Sequence, residues 1–312
     1  MPDYTPILVS GAPRSGTTFL GRMLGLPRHI TYLDEPLNPD GGIMGVDKPF
    51  IYIGQNHPKL AARFDAMMYE LMIGQAYFKS STLRTPSAST IKRIGRQLFS
   101  SRTNFQYKLD SRNPSKSRFL IKDPTACFAA QYFHQKIGMK VVVCLRHPAA
   151  TIASYKRLDW HYSLQDLVNQ DDLMKDHLSE VLGKVNLTSL TAVQQWAYFW
   201  LSIYTVLDHY LEQNTQMLMV RHEDLSLSPV RHISRLYAEL GLDFSPAIER
   251  TVLAHTQAGN PVSAPNNVPH ALKRDSAKAV HAWRNILSED EIREIKRITL
   301  PLAEKYYPLS EW

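Results

Sequence analysis

Four apolar runs limit what this chain can fold into more than any other feature: Ile7-Leu8-Val9, Phe119-Leu120-Ile121, Val141-Val142-Val143-Cys144-Leu145 and Met217-Leu218-Met219-Val220. Each reads as a strand buried on both faces, and helical stretches lie between them. Such runs indicate a parallel sheet with helical crossovers. Ile30-Thr31-Tyr32-Leu33 is a weaker fifth strand. Helices are expected at Thr17–Leu26, Lys59–Tyr77, Ala126–Ile137, Ala149–Leu158, Ala192–Gln213, Pro229–Leu240 and Glu289–Tyr306. Ser288 with Glu291 makes a capping box for the last of these, and Gly241 closes the one before it. The expected fold is α/β: one domain over 1–312, with a central parallel sheet of about five strands and helices on both faces.

With 312 residues, 44% of them apolar, the chain can bury a large core, and its composition does not suggest disorder. Its two cysteines, Cys127 and Cys144, sit in mainly apolar surroundings and read as buried thiols rather than a disulfide framework. The longest nearly apolar stretch, Trp196 to Leu207, is too short to span a bilayer. Pro2-Asp3-Tyr4 leaves no room for a cleavable leader. A soluble protein is expected, cytoplasmic if the chain is complete, or else the lumenal part of an anchored one. The formal charge of +7 is uneven: residues 79–118 hold ten basic residues and a single acid, Asp110, so this segment carries +9 and the rest −2. It is serine-rich, contains Pro86 and Pro114, and reads as a basic insertion or flap. Residues 257–271, with three prolines, form a second long irregular loop.

Ligands bind in the crevice at the carboxyl ends of parallel strands, so the residues just after each run carry the most weight. After the first comes Gly11-Ala12-Pro13-Arg14-Ser15-Gly16-Thr17-Thr18. In a nucleoside-triphosphate loop a lysine follows the second glycine and reaches the β- and γ-phosphates. Thr17 stands in its place, and the nearest cation is Arg14. The loop therefore retains the means to bind one anionic group at a helix N-terminus, which implies a shorter anhydride than a triphosphate. After the weak strand comes Asp34-Glu35-Pro36, where the proline should hold Glu35 extended; a carboxylate at a strand tip can act as general base, although these residues by themselves read more readily as a solvated loop acid or a helix cap. Lys122-Asp123-Pro124 resembles the aspartate that holds magnesium in triphosphatases, but without the loop lysine Asp123 reads equally as a helix cap or hydrogen-bond orienter. Lys122 adds positive field. Arg146-His147-Pro148 follows the strongest run, with Ser154 two turns on, and an arginine and a helix serine can share one phosphate. His147 reads as a structural loop residue.

Together these motifs resemble the sulfotransferases that use 3′-phosphoadenosine 5′-phosphosulfate (PAPS). Gly11 to Leu20 looks like the family's 5′-phosphosulfate loop in its Pro-Arg-Ser-Gly-Thr-Thr form, and Leu145 to Tyr155 looks like its 3′-phosphate motif. Val220 to Leu225 with Pro229, and Trp283-Arg284, are similar to later family segments. The resemblance runs from residue 5 to about 300, excluding Pro39 to Arg118. It implies a P-loop-like three-layer fold and a metal-independent transfer of sulfuryl from PAPS to an acceptor hydroxyl, with 3′-phosphoadenosine 5′-phosphate (PAP) as product. Carbohydrate-type members carry a Glu-Pro dipeptide, so the resemblance implies Glu35 as general base and a carbohydrate or glycolipid acceptor. Arg14 would stabilise the leaving phosphate. The cofactor residues implied are Arg14, Ser15, Gly16, Thr17, Thr18, Arg146 and Ser154, with a further basic residue from Lys273, Arg274, Lys278 or Arg284. The basic 79–118 segment would face an anionic or membrane-proximal acceptor.

Two other readings compete. A P-loop kinase or triphosphatase fails mainly on Thr17. A nucleic-acid-binding module would use the 79–118 segment, but Phe99, Phe105 and Tyr107 are too few for a stacking platform, and no nucleic-acid partner is expected.

Overall fold

The computed structural model describes residues 5–54, 56–79, 107–261, 272–273 and 275–312. Five strands form one sheet: β1 Ile7–Ser10, β2 Ile30–Asp34, β3 Arg118–Lys122, β4 Lys140–Leu145 and β5 Leu218–Arg221. All neighbouring strands are parallel, in the order β2-β3-β1-β4-β5. The chain passes from β1 to β2 and β3 on one side, then crosses to β4 and β5 on the other. Such a reversal opens a crevice at the carboxyl ends of the central strands.

The longer helices are α1 Thr17–Leu24, α2 Pro58–Met72, α3 Ala130–Ile137, α4 Pro148–Leu158 and α5 Ala192–Gln213. They are followed by α6 His222–Leu227, α7 Pro229–Leu240, α8 Pro246–Thr256 and α9 Glu289–Ala303. Side chains alternate across a strand, so the sheet divides its apolar residues between two cores. Ile7, Val9, Leu120 and Val142 face α1 and α7, where Leu20 and Leu236 cover them. Leu8, Ile121, Val141 and Val143 face the opposite layer, which holds Trp200 and Ile203 of α5. Ile7, Leu8 and Val9 are fully buried, and each such side chain contributes about 1.5–3 kcal/mol. The result is three layers, as the unbroken apolar runs require.

Local signals place the helix ends. Ser288 and Glu291 form the expected reciprocal cap of α9, and Gly241, at φ 69°, ends α7. The helix expected from Ala126 begins instead as a 3₁₀ segment, Pro124–Ala129, and becomes α3 at Ala130. Asp123 caps this segment by accepting from the Thr125 amide. The helix expected to reach Tyr77 stops at Met72, before Gly74 turns the chain at φ 76°. Helix α8, begun by Ser245 and Pro246, has no counterpart in the sequence expectation.

Most of the basic insertion, residues 80–106, lies outside the described residues, as do Arg274 and most of the 257–271 loop. Its described ends belong to the fold. Lys79 donates to the carbonyls of Pro39 and Val46, and Lys116 to that of Ile30. Arg118 is buried within β3, its Nη1 donating to the Leu240 carbonyl. These cations serve as structural donors, so part of the segment's charge does not face a partner. Cys127 and Cys144 are free and buried. Among the described residues no helix is long and apolar enough to cross a membrane.

Candidate active site

The carboxyl ends of β1 to β4 converge on one cleft of about 210 Å³, into which Arg14, Glu35, Arg146 and Ser154 all project. The β1 end is the glycine loop. A Cβ on Gly11 would lie 2.3 Å from the Cys144 carbonyl oxygen, and one on Gly16 would lie 2.4 Å from Cδ2 of His222. Both glycines have positive φ, so no other residue fits either position without strain. Gly16 turns the chain into α1, whose first residues, Thr17 and Thr18, line the cleft. Tyr155 Oη braces the loop by donating to the Pro13 carbonyl at 2.8 Å.

Arg14 is itself at φ 68°, an uncommon state for a residue with a Cβ. Its Nε donates to Ser154 Oγ at 3.2 Å, and its guanidinium lies 5.3 Å from the Trp160 ring centroid. Arg146 Nη1 donates to the Arg14 carbonyl at 2.9 Å. The glycine loop and the Arg146–Ser154 segment, about 130 residues apart in sequence, therefore meet in the same cleft. Arg146 Nε is buried without a hydrogen-bond partner. Burial lowers the Arg146 pKa, and the nearby Glu223 carboxylate opposes that effect. Glu223 accepts from the His147 amide at 3.0 Å and from Tyr307 Oη at 3.0 Å, and burial raises its pKa.

Ser15 departs from the expectation for the loop. Its side chain is fully buried, its amide donates to the Ala12 carbonyl at 3.1 Å, and it is absent from the cleft lining. His147 is structural, stacked 5.2 Å from Trp283 at 11° between planes. Burial and the charges of Arg221 and Arg284 push its pKa down to about 3.

Glu35 is not extended as its proline neighbour suggests; it sits at φ 51°. Its amide extends the sheet by donating to the Lys122 carbonyl at 2.7 Å, and its own carbonyl accepts from Asn38, closing a tight turn. Asp123 fixes that turn, because its Oδ2 accepts from the Leu37 amide at 2.6 Å. Strained backbone of this kind costs about 1–3 kcal/mol and persists only where its surroundings over-determine it. The Glu35 carboxylate is held at both oxygens: Lys122 Nζ donates to Oε1 at 2.6 Å and Asn38 Nδ2 to Oε2 at 2.8 Å.

Lys122 is the residue whose importance the sequence understates. It is 1% exposed and bridges Asp34 and Glu35, each at 2.6 Å. Burial would lower the pKa of its ammonium, but the two carboxylates outweigh it and the net shift is upward. Asp123 is fully buried, and burial together with the Glu35 charge pushes its pKa up to about 7. Its oxygens are taken by the amides of Leu37 and Thr125 and by the Thr125 hydroxyl, so it acts as an orienter of the fold. Among the suggested extra cations, Lys278 pairs with Asp275 and Arg284 donates to the carbonyls of Glu311 and Trp312. Neither lines the cleft, nor does Lys273.

Residues 6–246 match the sequence profile of the sulfotransferase family, Sulfotransfer_3. Carbohydrate sulfotransferase 2 of Mus musculus and of Homo sapiens are each 34% identical to this chain over 79 residues, 25% of the chain. The matched stretch spans 14% of the length of those relatives. Among solved structures, the sulfotransferase domain from the curacin biosynthetic pathway is 16% identical, with a TM-score of 0.49 over 97% of this chain and 99% of that one. Retinol dehydratase in complex with retinol and PAP is 15% identical, with a TM-score of 0.44 over 99% and 84% of the two chains.

Proposed function

We propose that this chain, which belongs to the sulfotransferase family, transfers a sulfuryl group from PAPS to a hydroxyl of a carbohydrate or glycolipid acceptor. The observation that carries this reading is the convergence of Arg14 after β1, Glu35 after β2, and Arg146 and Ser154 after β4 on one cleft. The donor would supply the sulfuryl group and a phosphate leaving group. The unpartnered Arg146 Nε, the backbone cradle left open by Gly16, and the excess of arginine over carboxylate in the lining all suit such a polyanion.

Within this cleft each residue has a distinct task. Arg14, Thr17 and the first amides of α1 stabilise the charge that grows on the bridging oxygen as its bond to sulfur breaks. Glu35 accepts the acceptor's hydroxyl proton while the new oxygen–sulfur bond forms. Lys122 and Asn38 hold the Glu35 carboxylate in one orientation, so little reorganisation accompanies proton transfer. Arg146 and Ser154 bind the 3′-phosphate by charge-assisted hydrogen bonds. The Glu-Pro form of the base motif supports a sugar hydroxyl as acceptor. Trp160 shares the cleft with Glu35 and offers a ring face for a sugar's C–H surface.

The test is transfer of labelled sulfate from PAPS to a panel of glycans and glycolipids. Glu35→Ala is expected to lower turnover by about 10²–10⁴-fold and Arg14→Ala by about 10²–10³-fold. Equal activity in wild type and both variants would refute the assignment. For the basic 79–118 segment, acceptor affinity that does not change with salt would argue against an anionic or membrane-proximal partner.

A further inference from the structure

Helix α4 turns a single face to the cleft: Ala150, Ala153, Ser154 and Arg157 all line it. Their spacing of three, four and seven residues is that of one helical stripe. The two alanines leave room beside the backbone, Ser154 supplies a hydroxyl, and Arg157, one turn further on, supplies a cation. Ser276, Ala279, Ala282 and Ile286 also line the cleft, and none of them carries a charge.

Arg157 differs from the other cations nearby. Its neighbour Lys156 is committed to Glu291, at 2.7 and 2.8 Å, and to the Ile286 carbonyl. Lys278 and Arg284 are committed to Asp275 and to backbone carbonyls. The Arg157 side chain lines the cleft, is exposed, and forms no hydrogen bond or ion pair with another described residue. It lies close enough to Arg146 for its charge to disfavour that buried guanidinium. Two guanidinium groups facing one space, with the cleft's carboxylate, Glu35, already held by Lys122, repel each other until a dianion enters between them.

We propose that Arg157 is a 3′-phosphate ligand of the nucleotide, acting with Arg146 and Ser154 and filling the role that sequence position suggested for Lys273, Arg274, Lys278 or Arg284. This rests on the reading that the cleft binds PAPS. The 3′-phosphate would meet two guanidinium groups and a hydroxyl, and so would be distinguished from a nucleotide that carries phosphate only at the 5′ position.

The experiment is calorimetric titration of wild type, Arg157→Gln and Arg157→Lys with PAP and with adenosine 5′-monophosphate. The monophosphate reports the 5′ subsite and the integrity of the fold. A charge-assisted hydrogen bond is worth about 10- to 100-fold in affinity. Arg157→Gln should therefore weaken PAP by about 10- to 100-fold and change the monophosphate by less than about twofold, while Arg157→Lys keeps part of the difference. Unchanged PAP affinity in Arg157→Gln, or equal weakening of both nucleotides, would overturn the assignment. A wild type that binds PAP no better than the monophosphate would overturn the PAPS reading itself, and the assignment with it.

Discussion

Asp123 offers the most quantitative test of how the site is built. Its carboxyl is fully buried under the Glu35 turn, and burial with the Glu35 charge raises its pKa from 3.8 to about 7. A raised acid binds its proton more tightly in the folded state than in the unfolded chain. It therefore favours folding most below the unfolded pKa, and that contribution is lost as pH rises from about 4 through 7. A difference of about three pH units at 1.36 kcal/mol each amounts to about 4 kcal/mol. Asp123→Asn removes this titration but turns an amide donor toward groups that donate, the amides of Leu37 and Thr125. One unsatisfied buried donor costs about 1–3 kcal/mol at any pH. The variant should therefore be less stable than wild type near pH 4 and gain on it by about 4 kcal/mol by pH 8. Urea denaturation of both proteins at several pH values across this range measures the difference directly. Stability curves that run parallel from pH 4 to 8 would refute the claim that Asp123 is a strained buried acid.

Other outcomes follow from the same geometry. Lys122→Met should lower turnover by at least tenfold with a smaller effect on PAP affinity, because it frees Glu35 and Asp34 from their shared cation without touching the glycine loop; steady-state kinetics beside calorimetry separate the two. Gly16→Ala should weaken PAP by more than tenfold. Adding His222→Ala should recover only the part due to the Cβ contact, since φ 101° disfavours alanine regardless of its neighbours. His147, with its pKa depressed to about 3, stays neutral when folded, whereas the unfolded ring gains a proton below about 6.5. Its contribution to stability is therefore lost as pH falls below 6.5, by about 2 kcal/mol on reaching pH 5. His147→Phe should remove that dependence, which denaturation at pH 5 and pH 8 will show.

Much of the fold was legible because it rests on local rules. An unbroken β-branched run can be buried only between two layers, a serine three residues before a glutamate caps a helix, and a glycine ends one; β4, α9 and α7 all follow these rules. The glycine loop was legible for the same reason, since strand, glycine turn and helix start are contiguous. Arg157 could have been found from its helical offset to Ser154, but nothing local separates a cleft-facing arginine from a solvated one.

The chain's order of residues alone determined the sheet, its helical layers and the loss of the loop lysine in favour of Arg14. Tertiary structure decided which groups meet. Lys122 reaches Glu35 across 87 residues because β2 and β3 pair with Asp34 opposite Lys122. Arg14 reaches Ser154 because β1 and β4 are neighbours. The left-handed turn at Glu35 overrides the extended preference before proline because Lys122, Asn38 and Asp123 hold it from three directions. Propensity acts through a residue's chain neighbours, whereas strand register and buried charge act between residues far apart in the chain, and the proposed chemistry of this site depends on the latter.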